Sequence, residues 1–142
     1  MKISEIMTKD VISLSVDDTA QHAAKLMKEH NIGAIPVGLE EKVVGIITDR
    51  DIVLRCIAEN KDIKTQKVRE IMTSNPVLGD SNMNVDDAIR IMGERQIRRL
   101  PIVQSNKLIG IVSLGDLAVQ SKLKEETGDA LSEISVPSTI NS

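Results

Sequence analysis

Apolar positions along this chain change period in a set order, and the order occurs twice. Residues 11–14 are a short apolar run, and Ala20, Ala23, Ala24 and Met27 then recur at helical spacing behind Thr19, a good N-cap. Two further apolar runs, 34–39 and 43–47, flank Glu40-Glu41-Lys42 and predict a hairpin. Thr48-Asp49-Arg50-Asp51 supplies N-cap chemistry to a second helix opened by Ile52, Val53 and Leu54. The second series has a short strand at 77–78 and a helix from Asn84, whose Asn-x-x-Asp87 reads as a capping pair. A hairpin of 100–103 and 108–112 follows, then a helix opened by Leu117. Displaced by 65 positions, residues 2–54 fall on 67–119 without a gap, with 14 of 53 pairs identical. The chain is an internal duplication of a β-α-β-β-α unit, which predicts an α+β fold. The bounds read from it are 1–60 for the first repeat, 61–66 for a polar linker, 67–123 for the second repeat and 124–142 for a tail. In the tail Gly128 reads as a helix stop, and Ala130, Leu131 and Ile134 could form a single apolar turn or belong to a disordered end.

Each half is about 60 residues, a size that buries only roughly 60% of its unfolded surface and is marginal alone. That predicts a core shared between the halves, or a dimer. Phe, Tyr and Trp are absent, so Ile, Val, Leu and Met must fill the interior. A net charge of −3, without a basic stripe or aromatic platform, argues against a nucleic-acid partner. The start, Met-Lys-Ile-Ser-Glu, lacks a signal-peptide pattern and no apolar run is long enough to span a bilayer, so a cytoplasmic protein without membrane association is expected. Cys56 has no Cys or His at ligand spacing and reads as a small buried residue, while His22 and His30 read as surface residues, not metal ligands. Met7, Met27, Met72 and Met92 recur at equivalent places and read as core filling.

The strongest chemical signal is Gly45-Ile46-Ile47-Thr48-Asp49-Arg50-Asp51, echoed by Gly110-Ile111-Val112-Ser113-Leu114-Gly115-Asp116. Each copy sets a hydroxyl at a strand-to-helix corner and a carboxylate three residues on. One reading is a capping box, in which both groups serve their own helix. The other is a nucleotide site: the hydroxyl beside unpaired amides suits phosphate, and an acceptor-only carboxylate suits the two hydroxyls of a ribose.

Met-Thr near the start of each copy, Ile-x-x-x-Pro before the hairpin (Ile32 to Pro36, Ile97 to Pro101) and then Gly-x-x-Thr/Ser-x-x-Asp strongly resemble a tandem pair of cystathionine-beta-synthase (CBS) domains, a Bateman module, over residues 1–123. Thr48-Asp49-Arg50-Asp51-Ile52 and Ile97-Arg98-Arg99-Leu100-Pro101 resemble the small stand-alone bacterial type. The resemblance implies two repeats related by a pseudo-twofold axis and packed sheet against sheet. It also implies homodimers, and clefts for AMP, ADP, ATP or another adenosyl compound, with no cofactor. It assigns phosphate and ribose to Thr48 with Asp51 and to Ser113 with Asp116, and the adenine to the segments after Met-Thr: Thr8, Val11 and Ile12, and Thr73 and Val77. A basic residue three before the hairpin proline is expected to cross to the other repeat's phosphate; it is Arg98 in the second copy, followed by Arg99, but Gly33 in the first. Gly115 also stands where Arg50 does, so the resemblance makes the Thr48 cleft, with Arg98, Arg99 and Arg50, the stronger one and the Ser113 cleft the weaker.

The function expected is a regulatory sensor with no chemistry of its own, acting on an effector protein that the sequence does not identify. A structural dimerisation protein with relic clefts and a nucleotide hydrolase are the alternatives; the hydrolase lacks a nucleophile-base pair or paired carboxylates beside the clefts. If Arg98 bonds a phosphate, Arg98→Ala weakens AMP or ATP binding roughly tenfold to a hundredfold in a calorimetric titration. Parent affinity in the variant sinks the crossing-arginine assignment.

Overall fold

The computed structural model describes residues 1–118 and Ile134. A 3-10 turn, Ile3–Glu5, precedes β1 (Leu14–Ser15), α1 (Ala20–His30), β2 (Ala34–Leu39), β3 (Lys42–Thr48) and α2 (Asp49–Ile52), which continues as a π-helical stretch, Val53–Ile57. The second series is α3 (Val68–Ile71), β4 (Thr73–Ser74), β5 (Gly79–Asp80), α4 (Val85–Glu94), β6 (Arg99–Gln104), β7 (Lys107–Ser113) and α5 (Leu114–Ala118). The fold is α+β, with β1 parallel to β2, β5 parallel to β6, and β2 antiparallel to β3.

Two compact units form, and they cut across the sequence repeats. One, here the Thr48 unit, holds Val11–Pro76 and Ser105–Leu108; the other, the Ser113 unit, holds Met1–Asp10, Val77–Gln104 and the described residues from Ile109 on. The leader of each repeat therefore belongs to the unit built on the other repeat's hairpin. The hydrogen bonds show why. A helix start leaves amides unpaired; in α1, Thr19 Oγ1 accepts the His22 N–H at 3.2 Å, and the Ala20 N–H donates to the Gln66 carbonyl at 2.8 Å. In α4 the equivalent Val85 N–H donates to the Met1 carbonyl at 3.0 Å. Asn84 is the N-cap of α4, but its side chain makes no capping bond, which corrects the expected Asn84–Asp87 pair: the leader closes this helix instead.

The leaders also carry core residues. Ile3 is fully buried with Val85, Met92, Leu100 and Val112, and Ile6 and Met7 pack on that cluster; Val68 and Ile71 are buried with Ala23, Ile35 and Ile47, with Met72 beside them. The expected single shared core is thus corrected to two clusters, each drawing side chains from both repeats. Burying an Ile or Val fully is worth about 1.5–3 kcal/mol, so a hairpin without the other repeat's leader loses several such contributions. Cys56 is buried in the Thr48 unit, and His22 and His30 are exposed.

Two strands differ from the pattern-based reading. Of the run at 11–14 only Leu14 is strand, in β1, and the expected strand at 77–78 is corrected to β5 at Gly79–Asp80, because pairing sets a strand and the partners begin at Val37 and Ile102. Each lies one residue after a proline, Pro36 or Pro101, which has no N–H to offer a ladder. The hairpin loops are two residues each, Glu40-Glu41 with φ 52° and 70° and Ser105-Asn106 with φ 52° and 66°, a twist that suits antiparallel strands. Both occur without glycine. Of the tail, Gly128, Ala130 and Leu131 lie outside the described residues, while Ile134 is helical and packs half-buried on the Ser113 unit's cluster. Among the described residues no helix is long and apolar enough to cross a membrane.

The duplicated glycines and methionines are two halves of one contact. A Cβ added at Gly45 would collide with Met72 Sδ, and one at Gly110 with Met7 Sδ, so each strand glycine is the floor on which the other repeat's leader methionine rests. At Gly110 the added carbon would also lie 3.1 Å from the Thr8 carbonyl oxygen. Gly110→Ala is therefore expected to cost about 1–3 kcal/mol in urea unfolding followed by circular dichroism, and Gly45→Ala less, since only a flexible side chain must move there. An unchanged midpoint for Gly110→Ala would show that the leader is not seated on this strand in solution.

Candidate functional site

Each unit presents one strand-to-helix corner. In the Thr48 unit, β3 ends at Thr48 and α2 begins at Asp49. Thr48 Oγ1 accepts the Asp51 N–H at 3.1 Å, and Asp51 Oδ2 accepts the Thr48 N–H at 3.0 Å, a reciprocal capping box. The Ser113 unit repeats it: Ser113 Oγ accepts the Asp116 N–H at 3.0 Å, and Asp116 Oδ2 accepts the Ser113 N–H at 3.3 Å. The capping bonds expected from spacing are thus made at both corners.

These bonds leave chemistry over. A hydroxyl that accepts through a lone pair still has its O–H to donate, and a carboxylate with one oxygen engaged keeps the other as an acceptor. Thr48 with Asp51 Oδ1, and Ser113 with Asp116 Oδ1, accordingly offer one donor and one anionic acceptor at each corner. The box orders both side chains in advance, which lowers the entropy a ligand must remove.

The two corners differ. Asp51 is buried, at 8% exposure, whereas Asp116 is exposed. Arg55 Nε lies 3.8 Å from Asp51 Oδ1, and the exposed Arg50 stands next in sequence to Asp51. At the same displacement of 65 positions the second repeat has no arginine for either: Gly115 corresponds to Arg50, and Gln120, one position beyond the aligned span, to Arg55. Arg55 escaped the motif reading because it lies beyond the repeated Thr/Ser-x-x-Asp; the available signal was its spacing four residues after Asp51 on a helix.

The remaining sequence-predicted residues regroup by unit. Val11, Ile12, Gly33, Thr48, Arg50, Asp51 and Thr73 fall in the Thr48 unit, while Thr8, Val77, Arg98, Arg99, Ser113 and Asp116 fall in the Ser113 unit. Thr73 pairs with Ile46, two residues before Thr48, and Thr8 pairs with Ile111, two before Ser113. The Met-Thr segments therefore flank the corners, each beside the corner of the repeat it does not come from. Position 33 and its equivalent 98 are bonded to the corner of their own repeat by main chain: the Asp49 N–H donates to the Gly33 carbonyl at 3.0 Å, and the Leu114 N–H to the Arg98 carbonyl at 2.9 Å. The Arg98 side chain is exposed. Among the described residues no three His, Cys, Asp or Glu side chains gather as a metal site.

Comparison with known proteins agrees with this duplication. The family model for the CBS domain matches residues 3–57 and 68–120. The CBS domain-containing protein YhcV of Bacillus subtilis is 48% identical over 133 residues, covering 94% of each chain. Among solved structures, Hypoxic Response Protein I with two coordinated zinc ions superposes with a TM-score of 0.78 at 32% identity, over 84% of this chain and 98% of that one. The CBS domain pair of protein MJ0100, in complex with 5′-methylthioadenosine and S-adenosyl-L-methionine, gives a TM-score of 0.76 at 30% identity, over 87% and 98%.

The box itself has a measurable energy. Thr48→Val and Ser113→Ala are each expected to lower unfolding stability by about 1 kcal/mol, with Thr48→Ser close to the parent, as urea midpoints report. A Thr48→Val midpoint equal to the parent would show that the hydroxyl is not spent on its helix.

Proposed function

This chain belongs to the CBS domain family, and we propose that it is a regulatory module that binds an adenosyl compound at the Thr48–Asp51 corner. The observation that carries the reading is the free donor and free acceptor each capping box leaves, at two equivalent corners. The Thr48 hydroxyl donates to a phosphate or the sugar ring, and Asp51 Oδ1 accepts from ribose hydroxyls. Support comes from the MJ0100 pair, whose structure holds two adenosyl compounds.

Arg50 and Arg55 bring positive charge to this corner, so an anionic member of the class, AMP, ADP or ATP, fits the Thr48 unit best. The Ser113 unit, with Gly115 and an exposed Asp116, suits an uncharged or weakly held adenosyl group. Binding is the whole of the activity: a ligand that prefers one arrangement of the protein shifts its population without any bond being made. We place the protein in the cytoplasm, acting as a homodimer on a separate effector.

The lack of Trp and Tyr makes the first experiment simple, because protein absorption near 280 nm is very weak and a 260 nm band in purified material reports carried-over nucleotide. Calorimetry with AMP, ADP, ATP and S-adenosylmethionine is expected to show saturable binding, with no product from ATP. Asp51→Ala is expected to lose roughly tenfold or more in affinity and Asp116→Ala less. Absence of both the 260 nm band and any binding heat overturns the sensor reading in favour of corners that only cap their helices. Release of ADP or AMP from ATP would instead make the protein an enzyme.

A further inference from the structure

Arg55 makes more contacts than a solvated arginine needs. Its Nη1 lies 3.2 Å from the carbonyl oxygens of both Ile71 and Met72, at the C-terminal end of α3, while its Nε faces Asp51 Oδ1 at 3.8 Å. Cations are favoured at a helix C-terminus, where carbonyls lack partners. One guanidinium therefore joins two things: the carboxylate oxygen the capping box leaves free, and the end of the leader whose Met72 rests on Gly45. All of these residues lie in the Thr48 unit. The oxygen a ribose would use is the one Arg55 faces, and the Asp51 side chain is only 11% exposed, so a ligand and Arg55 compete for it.

We propose that Arg55 is a positioning residue that couples occupancy of Asp51 to the docking of the leader at 71–75. This rests on the reading of Asp51 as a ligand-binding group. In the empty protein Asp51 orients Arg55, and Arg55 holds the two carbonyls. A hydroxyl donated to Oδ1 weakens the Arg55 contact, and the leader loosens. Linkage makes the effect reciprocal: the factor by which binding loosens the leader is the factor by which undocking the leader strengthens binding, and removing Arg55 shifts binding in that same direction. At the same 65-residue displacement the second repeat has Gln120 and not an arginine, so the coupling is argued for this unit.

The probes are adenosine and 5′-methylthioadenosine, which carry no phosphate, so a direct arginine–phosphate contact does not enter. Hydrogen exchange at the Met72 and Asn75 amides, bonded to the Val68 and Val44 carbonyls, reports leader docking. Arg55→Gln is expected to bind either probe about twofold to fivefold more tightly, the range supported by an ion pair with one half-exposed partner. In the parent, saturation with probe is expected to speed exchange at both amides by a similar factor, and in Arg55→Gln to leave it unchanged. Arg55→Lys, which keeps the charge, should return part of the coupling. Weaker or equal binding by Arg55→Gln overturns the proposal. A ligand-free arm keeps it decidable if neither probe binds, an outcome that counts against the proposed function itself. There Asp51→Asn and Arg55→Gln must each speed exchange at Met72 and Asn75, and the double variant must be no faster than either. Unchanged exchange in Asp51→Asn, with an effect only in Arg55→Gln, shows an arginine that merely caps α3 and overturns the coupling.

Discussion

A helix of ten or eleven residues begins with amides that need acceptors, and here the acceptors come from far along the chain. The Gln66 carbonyl closes α1 and the Met1 carbonyl closes α4, so each long helix is completed from outside its own repeat, α1 by the residue that leads into the second repeat and α4 by the first repeat's leader. The same leaders then deliver Ile3, Met7, Val68, Ile71 and Met72 to the clusters they enter. Neither repeat has both a closed helix and a filled core without the other. Duplication and leader exchange are for this reason one structural fact, and they resolve the difficulty of folding about 60 residues with no aromatic side chain.

The exchange also shapes the corners. Because Met7 and Met72 lie over Gly110 and Gly45, the Thr that follows each methionine pairs two residues ahead of the other repeat's capping box. Each corner is thereby flanked by a segment held from outside its own repeat, the kind of arrangement through which a bound group can influence packing elsewhere. Capping and binding are not rivals in this geometry. The box uses one lone pair of the hydroxyl and one carboxylate oxygen, and the hydroxyl proton and second oxygen remain.

Asymmetry between the copies gives the molecule more than a repeated site. Asp51 is buried beside Arg55, while Asp116 is exposed next to Gly115. Equivalent motifs thus sit in different electrostatic settings, with an arginine beside the buried carboxylate at the Thr48 corner and none aligned with it at the Ser113 corner. A charged group contributes more where water is scarce, so the burial of Asp51 strengthens its interaction with Arg55.

Much of this was legible in the residues. The 65-residue period, α1 behind Thr19, both hairpins and the Thr/Ser-x-x-Asp corners follow from periodicity and capping chemistry, which act over a few neighbours and leave a local trace. What sequence alone could not assign depends on partners distant in the chain. The start of β1 and β5 was set by where β2 and β6 could pair beyond Pro36 and Pro101. The N-terminus of α4 was closed by Met1 and not by Asn84, and the glycines at 45 and 110 acquired a reason only when a methionine was found above them. Arg55 became more than a helical surface charge once the Ile71 and Met72 carbonyls were seen beside it. Local patterns record local energies; which leader meets which hairpin is a long-range packing choice, and only the folded chain makes it.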